Sequence, residues 1–213
     1  MISPEQKILL IILSYLIGSI STSIILCKIK KVDIHSVGSG NAGATNTVRA
    51  LGKKYGALVL ILDIVKGIIP TIIASKLSPD SLTLPILCAF AVVLGHVFPI
   101  YFSFKGGKGA ATIIGTIIII FPIGALICFI LWISIIILTG YVGLATILAA
   151  IIFPISILVL GKINLIFFGI VSSLFILLAH YKNFIRLIDG KENRFSKVHI
   201  FDSNSIWRKK NPN

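Results

Sequence analysis

A loop of glycines and lysines between two apolar runs is the part of this sequence best suited to bind phosphate. Residues 105–109 read Lys-Gly-Gly-Lys-Gly. Consecutive glycine amides before a helix N-terminus form a nest for an anion, and Lys108 adds a full charge on a flexible stem. The spacing differs from a Walker A loop, because Gly109 follows Lys108 where that motif has Ser or Thr. The alternative interpretation is a basic turn that anchors two membrane helices to lipid headgroups.

A second polar segment, from Val37 to Arg49, is dense in glycine, hydroxyl and amide side chains. Hydroxyl and amide groups donate hydrogen bonds to substrate or phosphate oxygens. Arg49 can hold a phosphate through two parallel hydrogen bonds. A flexible linker would contain similar small residues, but the run Asn41–Asn46 favours a binding loop.

Two histidines at the ends of apolar runs are candidates for proton transfer or hydrogen bonding. His180 ends the last run, and Asn183 follows at a spacing that puts both side chains on one face of a helix. His96 ends an earlier run. Taken alone, each histidine is readily explained by a position at the membrane boundary. Three phosphate-friendly segments on one face of the membrane would instead favour one shared pocket.

Composition assigns the chain to the integral membrane proteins. Of its 213 residues 56% are hydrophobic, which is more apolar surface than a water-soluble domain can bury. The formal net charge of +13 points in such a protein to cytoplasmic loops and anionic lipid rather than to nucleic acid. The three cysteines are scattered, and no cluster has the spacing of a metal site. We expect one membrane domain over residues 1–213, with no metal, nucleotide or other cofactor.

The distribution of basic residues predicts seven transmembrane helices. Sixteen of the twenty Lys and Arg residues fall in the segments 28–54, 105–108 and 182–210. These segments share one face only if the run Ala110–Thr139 crosses twice, with a break at Pro122. The N-terminus then lies outside, and the C-terminus and the polar loops are cytoplasmic. The predicted spans are Ile8–Cys27, Tyr55–Leu77, Leu82–Phe98, two within Ala110–Thr139, Tyr141–Leu160 and Ile163–Tyr181.

Together the polar segments resemble one family, the bacterial acyl-phosphate-dependent glycerol-3-phosphate acyltransferases (PlsY), over essentially the whole chain. The resemblance implies an all-α membrane fold of about seven helices with a cytosolic active site. It also implies acyl transfer from acyl phosphate to the 1-hydroxyl of sn-glycerol 3-phosphate, the first acylation step of phospholipid biosynthesis. It rests on the motifs Gly38–Asn41, Gly43–Asn46 with Arg49, Asp63–Gly67, Gly95–His96, Phe98–Pro99, Lys105–Gly109, and His180 with Asn183, Arg186, Gly190 and Glu192.

The same resemblance implies roles for individual residues. Those assigned to catalysis and to glycerol 3-phosphate are Ser39, Arg49, Lys108, His180 and Asn183. The loop Gly106–Gly109, with Asn46 nearby, would hold the acyl phosphate, and the hydroxyl proton would pass to the donor phosphate or to His180. The further residues expected to bind substrate are Gly38, Gly40, Asn41, Thr45, His96, Lys105, Thr112 and Glu192.

Asp63 and Lys66 are expected to support the site from within the second span. They are three residues apart and share a helix face, and charges at that depth face each other or a polar cavity. They also fit the main alternative, a phosphate or organic-anion transporter. Transporters, however, place their sites near the bilayer midplane within inverted repeats, and we find no convincing repeat. A non-catalytic lipid-binding scaffold would not need His180 or Asn46.

The expected partners follow from this assignment. They are acyl phosphate and glycerol 3-phosphate as substrates, membrane lipid, and an enzyme that produces acyl phosphate; nucleic acid is not expected. The expected location is the bacterial plasma membrane, crossed several times.

Overall fold

The computed structural model describes residues 2–195, and over that range its regular secondary structure is all helical, with no strand. The predicted all-α class is confirmed. Three short 3₁₀ turns occur at Ile34–Ser36, Ile100–Phe102 and Ile163–Leu165. The α-helices are α1 (Pro4–Gly18), α2 (Thr22–Ile29), α3 (Ala44–Leu51), α4 (Lys53–Leu77), α5 (Thr83–Val97), α6 (Ala110–Ile120), α7 (Pro122–Thr139), α8 (Val142–Val159), α9 (Ile166–Ala179) and α10 (Tyr181–Ile188).

The first predicted span is interrupted. One helix was expected from Ile8 to Cys27, but α1 ends at Gly18 and α2 begins at Thr22. The break leaves the carbonyl oxygen of Ile20 without a helical donor, and the ammonium group of Lys66 donates to it at 3.0 Å. A charge on α4 therefore stabilises the interruption in the first span.

The long run Ala110–Thr139 is divided as the charge distribution predicts. Helix α6 ends at Ile120 and α7 starts with Pro122 at its first position, where proline needs no N–H partner. Helix α6 has 11 residues, which corresponds to a length of about 16 Å.

By length and composition, five elements can cross a membrane within the described residues. Helices α9 and α10 form a sixth element if their 56° bend lies within one span. Helix α6 is apolar but short. The seven-span count therefore depends on α6 and stays a prediction, as does the orientation of the N-terminus. The five elements are Pro4–Ile29, Lys53–Leu77, Thr83–Phe102, Pro122–Thr139 and Val142–Val159.

Small residues set the closest helix contacts. A Cβ atom at Gly67 would collide with the backbone of Thr112, and one at Gly115 would collide with that of Ile64, so α4 and α6 touch through their backbones. Gly95 approaches the Tyr15 carbonyl in the same way, which brings α5 against α1. Without a hydrophobic driving force in lipid, such close packing holds transmembrane helices together.

Candidate active site

The polar segments meet at a cavity of about 240 Å³ that begins among polar side chains and ends among apolar ones. A second, more polar cleft of about 260 Å³ shares Ser39, Asn41 and Lys108 with it. Of the predicted site residues, those that line the first cavity are Ser39, Asn41, Thr45, Asn46, Arg49, Asp63, His96, Lys108, Gly109, His180, Asn183 and Glu192. Gly40, Gly106 and Gly107 line the second.

The buried side-chain amide of Asn46 makes hydrogen bonds that hold the loop before α3 in place. Its oxygen accepts from the N–H of Ser39 at 3.0 Å, and its nitrogen donates to the carbonyls of Ile34 and Val37 at 3.0 and 2.9 Å. Helix α3 presents this side chain because the loop folds back over its first turn. Gly38, at φ +56°, lies against Asn46, where a Cβ would stand only 2.5 Å from its amide oxygen. Asn46 thus holds Ser39 at the cavity wall.

In the central loop, at residues 105–109, two glycine N–H groups bond to backbone carbonyls instead of remaining free. Gly106 N–H donates to the Val97 carbonyl at 3.2 Å, and Gly107 N–H donates to the His96 carbonyl at 3.1 Å. The expected nest of consecutive free amides is therefore wrong for these two groups. Their lack of a side chain serves close packing instead, because a Cβ at Gly107 would collide with the His96 ring. The loop clamps onto the end of α5 and points Lys108 into the cavity.

A series of hydrogen bonds connects Lys108 to helix α10. Lys108 Nζ donates to Asn183 Oδ1, and Asn183 Nδ2 donates to Glu192 Oε1 at 2.6 Å. The other oxygen of Glu192 accepts from Arg186 Nε at 2.6 Å. The carboxylate is almost fully buried, so it fixes both partners in a part of the protein where electrostatic interactions are strong. Asn183, Glu192 and Lys108 are therefore positioned as one unit.

The mouth of the cavity carries an excess of positive charge. Burial is the main cause that lowers the pKa of Lys108, to about 8; neighbouring Arg186 acts in the same direction, and Glu192 opposes it. Burial also lowers the pKa of Arg49. Both groups are thus held partly desolvated beside other cations, an arrangement that an anionic ligand would relieve.

The ring of His180 has a defined tautomer. Its Nδ1 lies 2.9 Å from the carbonyl oxygen of Ile176. Because a carbonyl oxygen only accepts, Nδ1 carries the proton, and Nε2 of the neutral ring keeps its lone pair. His180 is buried and lines the cavity, so Nε2 can accept a proton or a hydrogen bond there.

Asp63, Lys66 and His96 form a buried polar cluster, in which Asp63 and Lys66 make an ion pair. The Lys66 ammonium lies 2.8 Å from Asp63 Oδ1, so of the two expected arrangements the charges face each other. His96 Nδ1 lies 3.7 Å from the same oxygen. Asp63 and His96 line the cavity, whereas Lys66 turns away to the Ile20 carbonyl.

The deep end of the cavity is apolar and was not identified from the sequence. It runs between α6, α7, α8 and α9, and Trp132 stands in its wall with its indole N–H donating to Thr146 at 3.2 Å. Periodicity cannot separate these side chains from lipid-facing ones in helices that are apolar all round. The walls of this part include Ile114, Ile117, Cys128, Phe129, Trp132, Thr146, Ala149, Ala150, Phe153, Ser172, Ser173 and Ile176.

Four predicted site residues lie outside the walls of both spaces: Gly38, Lys66, Lys105 and Thr112. Lys105 is exposed to solvent, and Thr112 is fully buried against α4. Conversely, Lys182 and Arg186 line the polar cleft although no substrate role was predicted for them. Their place on the first two turns of α10, beside Asn183, was the signal that could have identified them.

Comparison with known proteins places this arrangement in a family. The family model for glycerol-3-phosphate acyltransferase matches residues 8–190. The chain belongs to the glycerol-3-phosphate acyltransferase family. It is 45% identical over 192 residues to a glycerol-3-phosphate acyltransferase of Aquifex aeolicus, covering 89% of this chain and 100% of that protein. A glycerol-3-phosphate acyltransferase of Shouchella clausii is 42% identical over 196 residues, covering 89% of this chain and 96% of the relative.

Solved structures of the family share the fold. The crystal structure of PlsY, an integral membrane glycerol 3-phosphate acyltransferase, in its glycerol 3-phosphate form superposes with a TM-score of 0.86 at 44% identity. The lysophosphatidic acid form gives a TM-score of 0.83 at 43% identity. Each comparison covers 91% of this chain and 97% of the other. The chain is therefore an integral membrane acyltransferase of this family, with several apolar helices.

Proposed function

We propose that this protein transfers a fatty acyl group from acyl phosphate to the 1-hydroxyl of sn-glycerol 3-phosphate in the bacterial plasma membrane. The products are 1-acylglycerol 3-phosphate and phosphate, in the first acylation step of phospholipid biosynthesis. The observation that carries the proposal is one cavity with a cationic mouth and an apolar interior. Such a cavity accepts an anionic headgroup and an acyl chain together, as both the donor and the product require.

The residues at the mouth divide between the two phosphates. Arg49, Lys108 and Ser39 hold glycerol 3-phosphate, with Asn183 and His180 orienting its glycerol part. The polar cleft behind Lys108, with Gly106, Gly107, Lys182 and Arg186 in its walls, holds the donor phosphate. Lys108 lines both spaces, so its charge acts on both anions. Asn46 contributes by holding Ser39 in place.

The transfer needs positioning and charge stabilisation more than a nucleophilic side chain, because phosphate is a good leaving group. The 1-hydroxyl oxygen bonds to the acyl carbon, the bond from that carbon to the phosphate oxygen breaks, and phosphate leaves. The hydroxyl proton passes to the departing phosphate or to Nε2 of His180. The acyl chain lies in the apolar end of the cavity throughout.

The decisive experiment measures incorporation of labelled glycerol 3-phosphate by the purified protein in lipid vesicles. With palmitoyl phosphate as donor we expect labelled 1-acylglycerol 3-phosphate, and with palmitoyl-CoA we expect none. A product formed equally from both donors would contradict the assigned donor. Uptake of label into sealed vesicles without any acylated product would favour the transporter alternative. A soluble enzyme that produces acyl phosphate, supplied with its own acyl substrate and phosphate, should replace the added donor.

A further inference from the structure

Helix α10 has two opposite faces of different chemistry. Tyr181, Phe184, Ile185 and Ile188 follow the spacing i, i+3, i+4, i+7 of one helix face, and all four side chains are exposed. Ile188 is 68% exposed. Four large apolar side chains on a helix of eight residues form a patch that water does not favour.

The apolar face of α10 continues an exposed apolar stripe of α9. On α9 the exposed apolar residues follow helical spacing, and the stripe ends at Leu178, which is 75% exposed. Tyr181 comes three residues later and Ile185 four residues after that, so the stripe crosses the 56° bend without interruption. The full stripe is Phe167, Ile170, Leu174, Leu178, Tyr181, Ile185 and Ile188. Since α9 and α10 together have the length and composition of a bent membrane span, this continuity favours lipid as the partner of the exposed face of α10.

The charges around α10 agree with this placement. Lys182 and Lys191 are exposed near the two ends of the helix, where they can reach anionic headgroups. The opposite face carries Asn183 and Arg186, both bonded to Glu192. One side of the helix thus contacts lipid while the other side builds the active site.

We infer that the face formed by Tyr181, Phe184, Ile185 and Ile188 is a membrane-surface contact, seated at the boundary between headgroups and acyl chains. The lipid surface holds α10 at its bend and so sets the position of Asn183 and Arg186 against Lys108. The second part of this inference rests on the proposed function. It makes these four residues positioning residues, because they touch lipid and not substrate.

The contact itself is tested without reference to activity. Single cysteines are introduced at Phe184 and Ile188, with controls at Lys182 and Asp189, in a full-length chain whose native cysteines Cys27, Cys88 and Cys128 are replaced by alanine. Each is labelled with an environment-sensitive fluorophore in vesicles of phosphatidylglycerol and phosphatidylcholine. We expect doxyl-labelled lipid to quench the probes at 184 and 188, and aqueous iodide to quench those at 182 and 189.

Two results would overturn the inference. Iodide quenching at all four positions would show that the apolar face lies in water. Protection of 184 and 188 from both quenchers would show that a protein surface, either residues 196–213 or another chain, covers the face instead of lipid.

The positioning role is tested with a matched set of double variants. Phe184→Asn with Ile188→Asn should lower kcat/KM by roughly tenfold to a hundredfold, since a displaced site residue costs that much. Phe184→Leu with Ile188→Leu keeps the apolar face and should stay near wild type, as should Asp189→Ser at an exposed position outside that face. Equal activity of the asparagine and leucine variants would disprove the role. If the wild-type protein itself shows no acyl transfer, the proposed function fails while the quenching result still decides the membrane contact.

Discussion

Lys108 donates a hydrogen bond to the side-chain oxygen of Asn183, and this contact joins the loop before α6 to the first turn of α10. The two residues are 75 positions apart in the chain. Their contact places a cation beside an amide that is itself held by a buried carboxylate, Glu192. The proposed charge stabilisation therefore depends on an assembled network, and single substitutions within it test the assignment.

Replacing either of the two partly buried cations at the mouth should remove most activity. We expect Lys108→Ala and Arg49→Ala each to lose about 2–4 kcal/mol of transition-state stabilisation, or roughly 30- to 1000-fold in kcat/KM. Arg49→Lys should recover only part, since it restores the charge but not the two parallel hydrogen bonds. The control is Lys54→Ala, an exposed lysine outside the cavity. A Lys108→Ala enzyme with more than about a third of wild-type kcat/KM would contradict the role.

The charge of Lys108 predicts an alkaline limit to activity. Because burial lowers its pKa to about 8, the free enzyme loses this positive charge as the pH rises through that value. We expect kcat/KM to fall above pH 8, since kcat/KM reports groups of the free enzyme. In Lys108→Arg the fall should move to much higher pH, because arginine stays protonated. Lys182→Arg is the matched control. If kcat/KM still falls near pH 8 in Lys108→Arg, the fall must come from the titration of another group.

Substitution of His180 distinguishes the two proton acceptors. If Nε2 takes the hydroxyl proton, His180→Gln should lower kcat by about 10²- to 10⁴-fold with little change in KM. If the donor phosphate takes the proton and His180 only orients the glycerol, the variant should mainly raise KM. Steady-state measurements over a range of glycerol 3-phosphate concentrations separate these results. Lys54→Ala, at an exposed position outside the cavity, is the control.

The floor of the cavity should set the preferred acyl chain length. Phe153 lies 11 residues along α8 from Val142 at the mouth, which corresponds to a depth of about 16 Å. Its ring packs edge-on against that of Phe168, with 5.9 Å between the ring centroids. Phe153→Ala should shift the preference to longer chains, because each further CH₂ buried in the vacated space is worth about 0.8 kcal/mol.

Cys128→Phe, which fills the cavity from α7 beside Ala149, nearer the mouth than Phe153, should shift the preference to shorter chains. Activity with a series of saturated acyl phosphates measures both shifts. Ile155→Ala, an exposed position on the outer side of α8, should leave the profile unchanged. An unchanged profile in Phe153→Ala would mean that the chain leaves the cavity laterally.

The predicted seven spans and their orientation can be tested by cysteine labelling in intact cells. Cysteines at Ser39 and Ser103 should react only after the cytosolic face is opened, and one at Ser78 should react from outside. Ser203 should also be cytosolic if α6 crosses the membrane; it lies outside the described residues. Labelling of position 203 from outside would show that α6 does not cross.

The sequence predicted the helices of this fold better than their interruptions. Apolar runs located the long helices, and the positive charge of the loops together with Pro122 located the break between α6 and α7, because proline and charge act locally. The break after Gly18 was missed, since serine is compatible with a membrane helix. Helix α3 was missed within a polar loop because it depends on contacts with α4.

The place of a site residue could be predicted where its polar group faces the cavity. It could not be predicted where contacts within the protein use that polar group. Arg49, Lys108, His180 and Asn183 line the cavity as expected. The side-chain amide of Asn46 makes its hydrogen bonds within its own loop. The N–H groups of Gly106 and Gly107 donate to backbone carbonyls. The folded packing determines which hydrogen-bond partner each of these polar groups has. Residue type and spacing do not specify that partner.

The link between Lys66 and the carbonyl of Ile20 has a consequence for biogenesis. Helix α4 carries two charged residues near its middle, Asp63 and Lys66, and the ion pair between them neutralises both charges. The ammonium group also donates to the carbonyl of Ile20, which precedes it by 46 residues and is therefore synthesised first. We expect the interrupted first helix to be in the membrane before α4, so that its free carbonyl receives Lys66 as α4 enters.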